Sequence, residues 1–313
     1  MSVVRPSGRT ASIISKRTQL MNHIKKFRAS LFVFFVAILS LGWGFWAHPI
    51  INKEAITLLP EPLKSFYSAN EEFISKHAVD PDVRRNEDRN EAYYHYIDID
   101  KYGKYPNFEI PHSYEEAVKK YGADTVMRNG IVPWRVGWIT DSLSNAMKTG
   151  NIEKVLHFSA DLGHYVADMN VPLHTTENYD GQMTGNIGVH ARWESGIPER
   201  YGDAYSYSGI DSITYIHDPI EHAFGIVMHS YSLIDKIFRA DSIAKSGVPA
   251  DQLYRVEEHD GRKSYIYSDE YYKKFNAELN GMVESQMRMA VREVASYWYT
   301  AWVNAGKPNF WSK

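Results

Sequence analysis

At 313 residues, with 44% hydrophobic and 23% charged side chains, the sequence has the composition of a globular chain long enough to bury a sizeable core, which excludes a disordered or low-complexity protein. Its 35 Lys and Arg against 38 Asp and Glu leave a formal net charge of -3, so a broad basic face for duplex nucleic acid is not expected. There is no cysteine, which excludes disulfides and thiolate ligands, so any metal must be held by histidine and carboxylate.

The first 29 residues carry seven basic side chains and no acidic one, and the apolar run LFVFFVAILSL follows over residues 31–41. That length suits the hydrophobic region of a secretory signal. Ser40 and Gly42 then occupy the −3 and −1 positions of a cleavage site that would leave Trp43 as the first mature residue. Residues 1–42 are therefore expected to be a signal peptide, with Met21 as an alternative start, and residues 43–313 the exported domain, bound for the periplasm or the medium. The rival reading makes residues 31–47 an uncleaved membrane anchor, at the lower edge of the roughly 17–25 residues that span a bilayer. Cleavage would remove seven basic residues and no acidic one, leaving a distinctly acidic mature chain.

Along that chain strand signals are sparse and helical periodicity recurs, predicting one mostly helical, all-α domain. SYEEAVKKYG reads as a helix capped by Ser113 and closed at Gly122. A second runs from Pro133 to about Lys148 and stops near Gly150, and IEKVLHFSADLGHYVADMN forms a third, ended by Pro172. TTENYDGQMTGNIG is a polar loop, and VHARWES opens a further helix. Leu279, Val283, Met287, Ala290, Val294, Trp298 and Ala301 recur at spacings of three and four, the stripe of a core helix that ends by Gly306 and Pro308.

The chemistry lies in paired residues. His164 and Asp168 stand four apart on the third predicted helix and so share one face, and His190 and Glu194 repeat the arrangement. One such pair is ordinarily a surface ion pair or a half-buried histidine with its acceptor. Two of them, separated by a loop and by His174, are a means of presenting imidazole nitrogen and carboxylate oxygen to zinc without cysteine. Upstream stand His48, Asp80 and His95. Asp82 competes with Asp80, His157 reads as a packing or supporting residue, and the histidines of HDPIEH are five apart, wrong for one helical face.

In these residues the chain resembles the superfamily of zinc-dependent phospholipases C and single-strand-specific zinc nucleases. The matching motifs are Trp-Gly-x-x-x-His at Trp43, Gly44 and His48; an aspartate fifteen residues before HYID, at Asp80 and His95; His-x-x-x-Asp-x-x-x-Pro-x-His at His164, Asp168, Pro172 and His174; and His-x-x-Trp-Glu at His190, Trp193 and Glu194. The resemblance implies a helical fold of that type with three zincs in a cleft between helices. It implies Asp80, His95, His164 and Asp168 on the first zinc, Trp43 and His48 with a bridging Asp168 on the second, and His174, His190 and Glu194 on the third. Trp43 would bind through its own amine and carbonyl, a ligand that exists only after cleavage, because an internal amide nitrogen offers no usable lone pair.

The implied activity is hydrolysis of a phosphodiester by in-line attack of a zinc-held hydroxide, with Asp80 orienting or deprotonating the attacking water. Glu194 and the short loop between His174 and His190 lean toward the phospholipases; Trp-Gly-x-x-x-His and HYID lean toward the nucleases. A phospholipid is the preferred substrate and single-stranded nucleic acid the alternative, with membrane contact only through the substrate or an uncleaved leader. A reading of another class is an exported zinc-binding protein without catalysis; the three-ligand count at His174, His190 and Glu194 argues against it, since closed structural sites use four.

Overall fold

The computed structural model describes residues 46–259 and 262–309. The leader, the alternative start and most of the proposed anchor lie outside them, as does Trp43. Among the described residues no helix is long and apolar enough to cross a membrane.

The chain is mostly helical. Short helices α1 (Ala47–Thr57), α2 (Leu63–Ala69), α3 (Glu71–Lys76) and α4 (Asp80–Arg84) lead into two 3₁₀ turns, Glu91–Tyr94 and Ile99–Tyr102. A small antiparallel pair follows, β1 (Gly103–Lys104) with β2 (Asn107–Phe108), and then α5 (Tyr114–Tyr121) and α6 (Ala123–Arg128). The two long central helices are α7 (Val132–Thr149) and α8 (Ile152–Met169). Beyond them come α9 (Val189–Ala191), α10 (Pro198–Tyr201), α11 (Pro219–Tyr231) and α12 (Ile234–Ser246), the antiparallel pair β3 (Tyr254–His259) and β4 (Arg262–Tyr267), α13 (Asp269–Leu279) and α14 (Met282–Asn304).

Local chemistry explains most of the boundaries. The Ser113 hydroxyl accepts from the Glu116 amide at 3.4 Å, and Gly122 leaves α5 at φ 85°, a conformation that favours glycine. Asn151 caps α8 by accepting from the Lys154 amide at 3.1 Å, and Gly150 ends α7 in the left-handed region at φ 68°. The predicted late stripe is divided: Leu279 closes α13, and Asn280 and Gly281, at φ 49° and 75°, turn the chain before α14 begins. Two successive left-handed residues cannot continue a right-handed helix, so the periodicity crosses a break that it does not reveal.

The core is built on α7, α8 and α14, with α1 packed against α8 and α14. Trp134, Trp193 and Trp298 are fully buried within it. The Trp134 indole donates to the His112 carbonyl at 2.7 Å, the Trp298 indole donates to the Ser159 carbonyl at 3.0 Å, and the Ser159 hydroxyl pairs with the Tyr67 phenol at 2.7 Å.

The α1–α8 contact is close because Gly163 has no side chain. A Cβ there would stand 2.0 Å from Asn52 Oδ1, while the Asn52 amide donates to the Ala160 and Ile74 carbonyls at 3.3 and 3.4 Å. Gly163→Ala is therefore expected to destabilise the fold by about 1–3 kcal/mol through overpacking, lowering the melting temperature by a few degrees in a thermal scan. An unchanged melting temperature would show that Asn52 can move aside at no cost.

Candidate metal centre

α8 carries the axis of the site. His164 and Asp168 occupy its last turns, one turn apart on one face, and both are buried. Four other segments bring ligands to that face: His48 at the start of α1, His95 just past the Glu91–Tyr94 turn, His174 on the 3₁₀ turn Pro172–Thr175, and His190 with Glu194 after the polar loop.

Asp168 joins them. Its Oδ1 lies 3.5 Å from His48 Nε2, and its Oδ2 lies 3.0 Å from His95 Nδ1 and 3.3 Å from His164 Nε2. The two oxygens thus face different imidazoles, as a bridging carboxylate does. His174 Nε2 lies 3.4 Å from Glu194 Oε2 and 3.0 Å from His190 Nε2, and His190 Nε2 also contacts Glu194. Metal bonds of about 2.0–2.1 Å in a tetrahedron place neighbouring ligand atoms roughly 3.3 Å apart, so these separations suit shared cations.

Correction is needed at the first position. The Asp80 carboxylate, chosen on linear spacing, binds His77 Nδ1 at 2.7 Å and groups with His157. Asp82 takes its place, with Oδ1 3.7 Å from His95 Nδ1 and 4.0 Å from His164 Nε2. Both aspartates lie on α4, and two residues along a helix turn a side chain through about 200°, so only one of them can face the cleft. The centre then comprises three groups that could each hold a metal ion: Asp82, His95 and His164; His48, His164 and Asp168; and His174, His190 and Glu194. His164 appears in two groups but offers one nitrogen, because its Nδ1 is engaged elsewhere.

The tautomers support metal binding. His164 Nδ1 lies 2.8 Å from the Ala78 carbonyl and His174 Nδ1 2.9 Å from the His95 carbonyl. A carbonyl can only accept, so both Nδ1 atoms carry hydrogen and each Nε2 can direct a lone pair into the cleft. Without a cation between them, His174 Nε2 and His190 Nε2 at 3.0 Å must share a proton or repel. The donor set of imidazoles and carboxylates without thiolates fits a borderline divalent ion.

Behind the ligands lies a charged layer that sequence reading missed. Arg84 grips Asp161 through two bonds of 2.8 and 3.2 Å and reaches Glu91 at 3.4 Å. Glu91 accepts from the Tyr165 phenol and stands 3.8 Å from His95 Nε2, on the side away from the cleft. The i, i+4 spacing of Glu91 and His95 was the available signal. Beneath the third group, α9 passes into a π turn over Arg192–Gly196 that holds Glu194. Arg192 anchors this turn from the opposite side, donating to Asp241 at 2.9 Å and to the Ile187 carbonyl at 2.8 Å. A π turn in place of the predicted regular helix is a frequent adjustment at functional sites.

Electrostatics separate the histidines. Burial, with the neighbouring His164, holds His48 down to about 4, and burial lowers His95 as well. For His164 and His174 burial again opposes the charge, but Asp168 with Asp82 and Glu194 with Asp168 outweigh it and raise each to about 9. Burial likewise opposes ionisation of Asp168 and Glu194, yet the facing histidines hold both well below the usual carboxylate range.

Without metal, therefore, His164 and His174 are protonated at neutral pH, and a metal must displace those protons. Zinc added to the metal-free protein at pH 7.5 is expected to release about two protons from this pair, and affinity should rise with pH up to about 9. Calorimetric titration in buffers of different ionisation enthalpy measures the release; an enthalpy independent of buffer would refute it.

The centre opens to solvent. Side-chain exposure is 27% at His190 and 12% at His174 but 0% at His164, so the third group forms a mouth, and Asp82, 26% exposed, is also reached by solvent. The polar loop before the third group is held by Asp100, which accepts from the Thr176 hydroxyl at 2.6 Å and the Glu177 amide at 3.1 Å. This loop exposes Tyr179, Met183 and Ile187, and the Tyr179 ring lies 5.7 Å from that of His190. Trp43, expected on the second position beside His48, lies outside the described residues. Neither a family model nor a curated protein matches the chain.

Proposed function

We propose that this protein is an exported zinc-dependent phosphodiester hydrolase of the phospholipase C and zinc nuclease type, acting on a phospholipid. The observation that carries the reading is Asp168, whose two oxygens face the imidazoles of His48, His95 and His164 at 3.0–3.5 Å in a buried pocket. Seven of the nine ligand positions expected from the resemblance meet around this residue and Glu194, and Asp82 supplies an eighth in place of Asp80.

In this reading Asp82, His95 and His164 would hold one zinc, His48 with the amine and carbonyl of Trp43 would hold a second, Asp168 would serve both, and His174, His190 and Glu194 would hold a third. Zinc there supplies Lewis acidity toward a phosphoryl oxygen and acidifies water to a pKa of about 7. The chain's own residues do the rest. Three carboxylates, Asp82, Asp168 and Glu194, leave a positive surplus against three divalent ions, which attracts the diester despite an acidic exterior. His48, His95 and His164 exclude bulk water from the deep end. Asp82, 26% exposed, replaces Asp80 as the carboxylate suited to orient the attacking water.

The exposed Tyr179, Met183 and Ile187 beside the mouth favour a lipid over a nucleotide chain, since apolar side chains in a surface loop suit the acyl boundary of a membrane. Tyr179 could equally stack on a base, which keeps single-stranded nucleic acid as the alternative.

N-terminal sequencing and zinc content, measured on one sample of the exported protein after dialysis, test the proposal. A chain beginning at Trp43 with about three tightly held zincs supports it and calls for comparison of phosphatidylcholine with a single-stranded oligonucleotide. A retained leader, or one zinc or none, overturns it.

A further inference from the structure

The aspartate that leaves the centre enters a second cluster. His77, on the 3₁₀ turn His77–Val79, Asp80 at the start of α4 and His157 on α8 each offer one ligand atom, all within 4.8 Å of one another. The His77 and His157 rings stand 5.5 Å apart at 66°, and Phe73 packs against both, at 4.0 and 4.9 Å. This cluster shares no residue with the centre. It is also more exposed than the centre: side-chain exposure is 29% at His77 and 35% at Asp80, and His157 is exposed, against 27% at His190 and 0% at His164.

We propose that His77, Asp80 and His157 form a further, solvent-accessible site for a divalent ion of the zinc class. Two imidazoles and one carboxylate are the donor set that zinc accepts at a three-residue site, with water completing the tetrahedron, whereas calcium and magnesium require mostly oxygen. The His77–Asp80 pair alone would be an ordinary surface ion pair, worth little. What distinguishes the cluster is His157, which comes from a different element some eighty residues on and meets the pair across the wall formed by Phe73.

The site has a structural consequence. An ion held there joins the His77–Asp80 turn to α8, and Asp82 follows two residues later on α4. Loading the site therefore restrains the segment that presents Asp82 to the centre. The ion would exchange with the medium more readily than those of the buried centre, so occupancy would follow the external zinc concentration.

The test uses the full exported chain with its tightly held metal in place. Zinc is titrated calorimetrically into the wild type, into His157→Ala and into the double variant His77→Ala/His157→Ala. The expected result is one additional saturable equivalent in the wild type that both variants lose, while their tightly held metal and their melting temperatures after dialysis stay unchanged. No additional equivalent in the wild type, or an additional equivalent retained by both variants, overturns the site. Because the variants leave the centre intact, the result does not depend on whether the centre is catalytic.

Discussion

Replacing Asp168 by asparagine is expected to abolish hydrolysis and to remove most of the bound metal, because this side chain faces His48, His95 and His164 together. Asparagine keeps the shape but presents one neutral oxygen and an NH₂ group that cannot bind a cation. The remaining imidazoles would keep only Asp82 and Glu194 as counter-charges; His164 would lose the main source of its raised pKa, and His174, raised chiefly by Glu194, would lose a secondary one. Loss of several kcal/mol of transition-state stabilisation corresponds to a fall in kcat/KM of roughly 10³-fold or more. Metal analysis and kinetics on the same preparation measure both effects. A variant that keeps its full metal complement would show that Asp168 is not shared between positions, and the proposed centre would have to be redrawn.

The second large effect separates neighbouring aspartates. Asp82→Asn is expected to weaken one metal position and lower activity by roughly 10²-fold or more, since Asp82 is the second carboxylate, after Asp168, that faces both His95 and His164. Asp80→Asn should leave the centre's metal and its turnover close to wild type and affect only the exposed cluster with His77 and His157. Both residues sit on the same five-residue helix, so a general disruption of α4 would depress both variants alike. Thermal scans identify that case. The reverse ranking, with Asp80→Asn the more damaging, would restore the assignment made from linear spacing.

Much of the helical framework was legible because its signals are local. Ser113, Asn151 and Gly150 act on amides and carbonyls within one turn, so the limits of α5, α7 and α8 follow from nearby residues. The His164–Asp168 pairing was legible for the same reason, as four residues on a helix share a face whatever surrounds them. The resemblance then supplied an ordered set of ligand positions, of which His48, His95, His174, His190 and Glu194 gather at the end of α8.

By itself, then, the sequence determined a mostly helical chain without thiolates and one helix face bearing a metal-type pair, because periodicity, capping and composition are properties of short segments. Only the tertiary structure decided which residues share a cleft. The choice of Asp82 over Asp80 depends on how α4 is rotated against α8, and linear spacing carries no information about that angle. The Arg84, Asp161, Glu91 and Tyr165 layer, and the meeting of His157 with His77, depend on segments brought together by the burial of apolar surface elsewhere in the core. That packing is non-local and non-directional, so no short stretch of the chain encodes it.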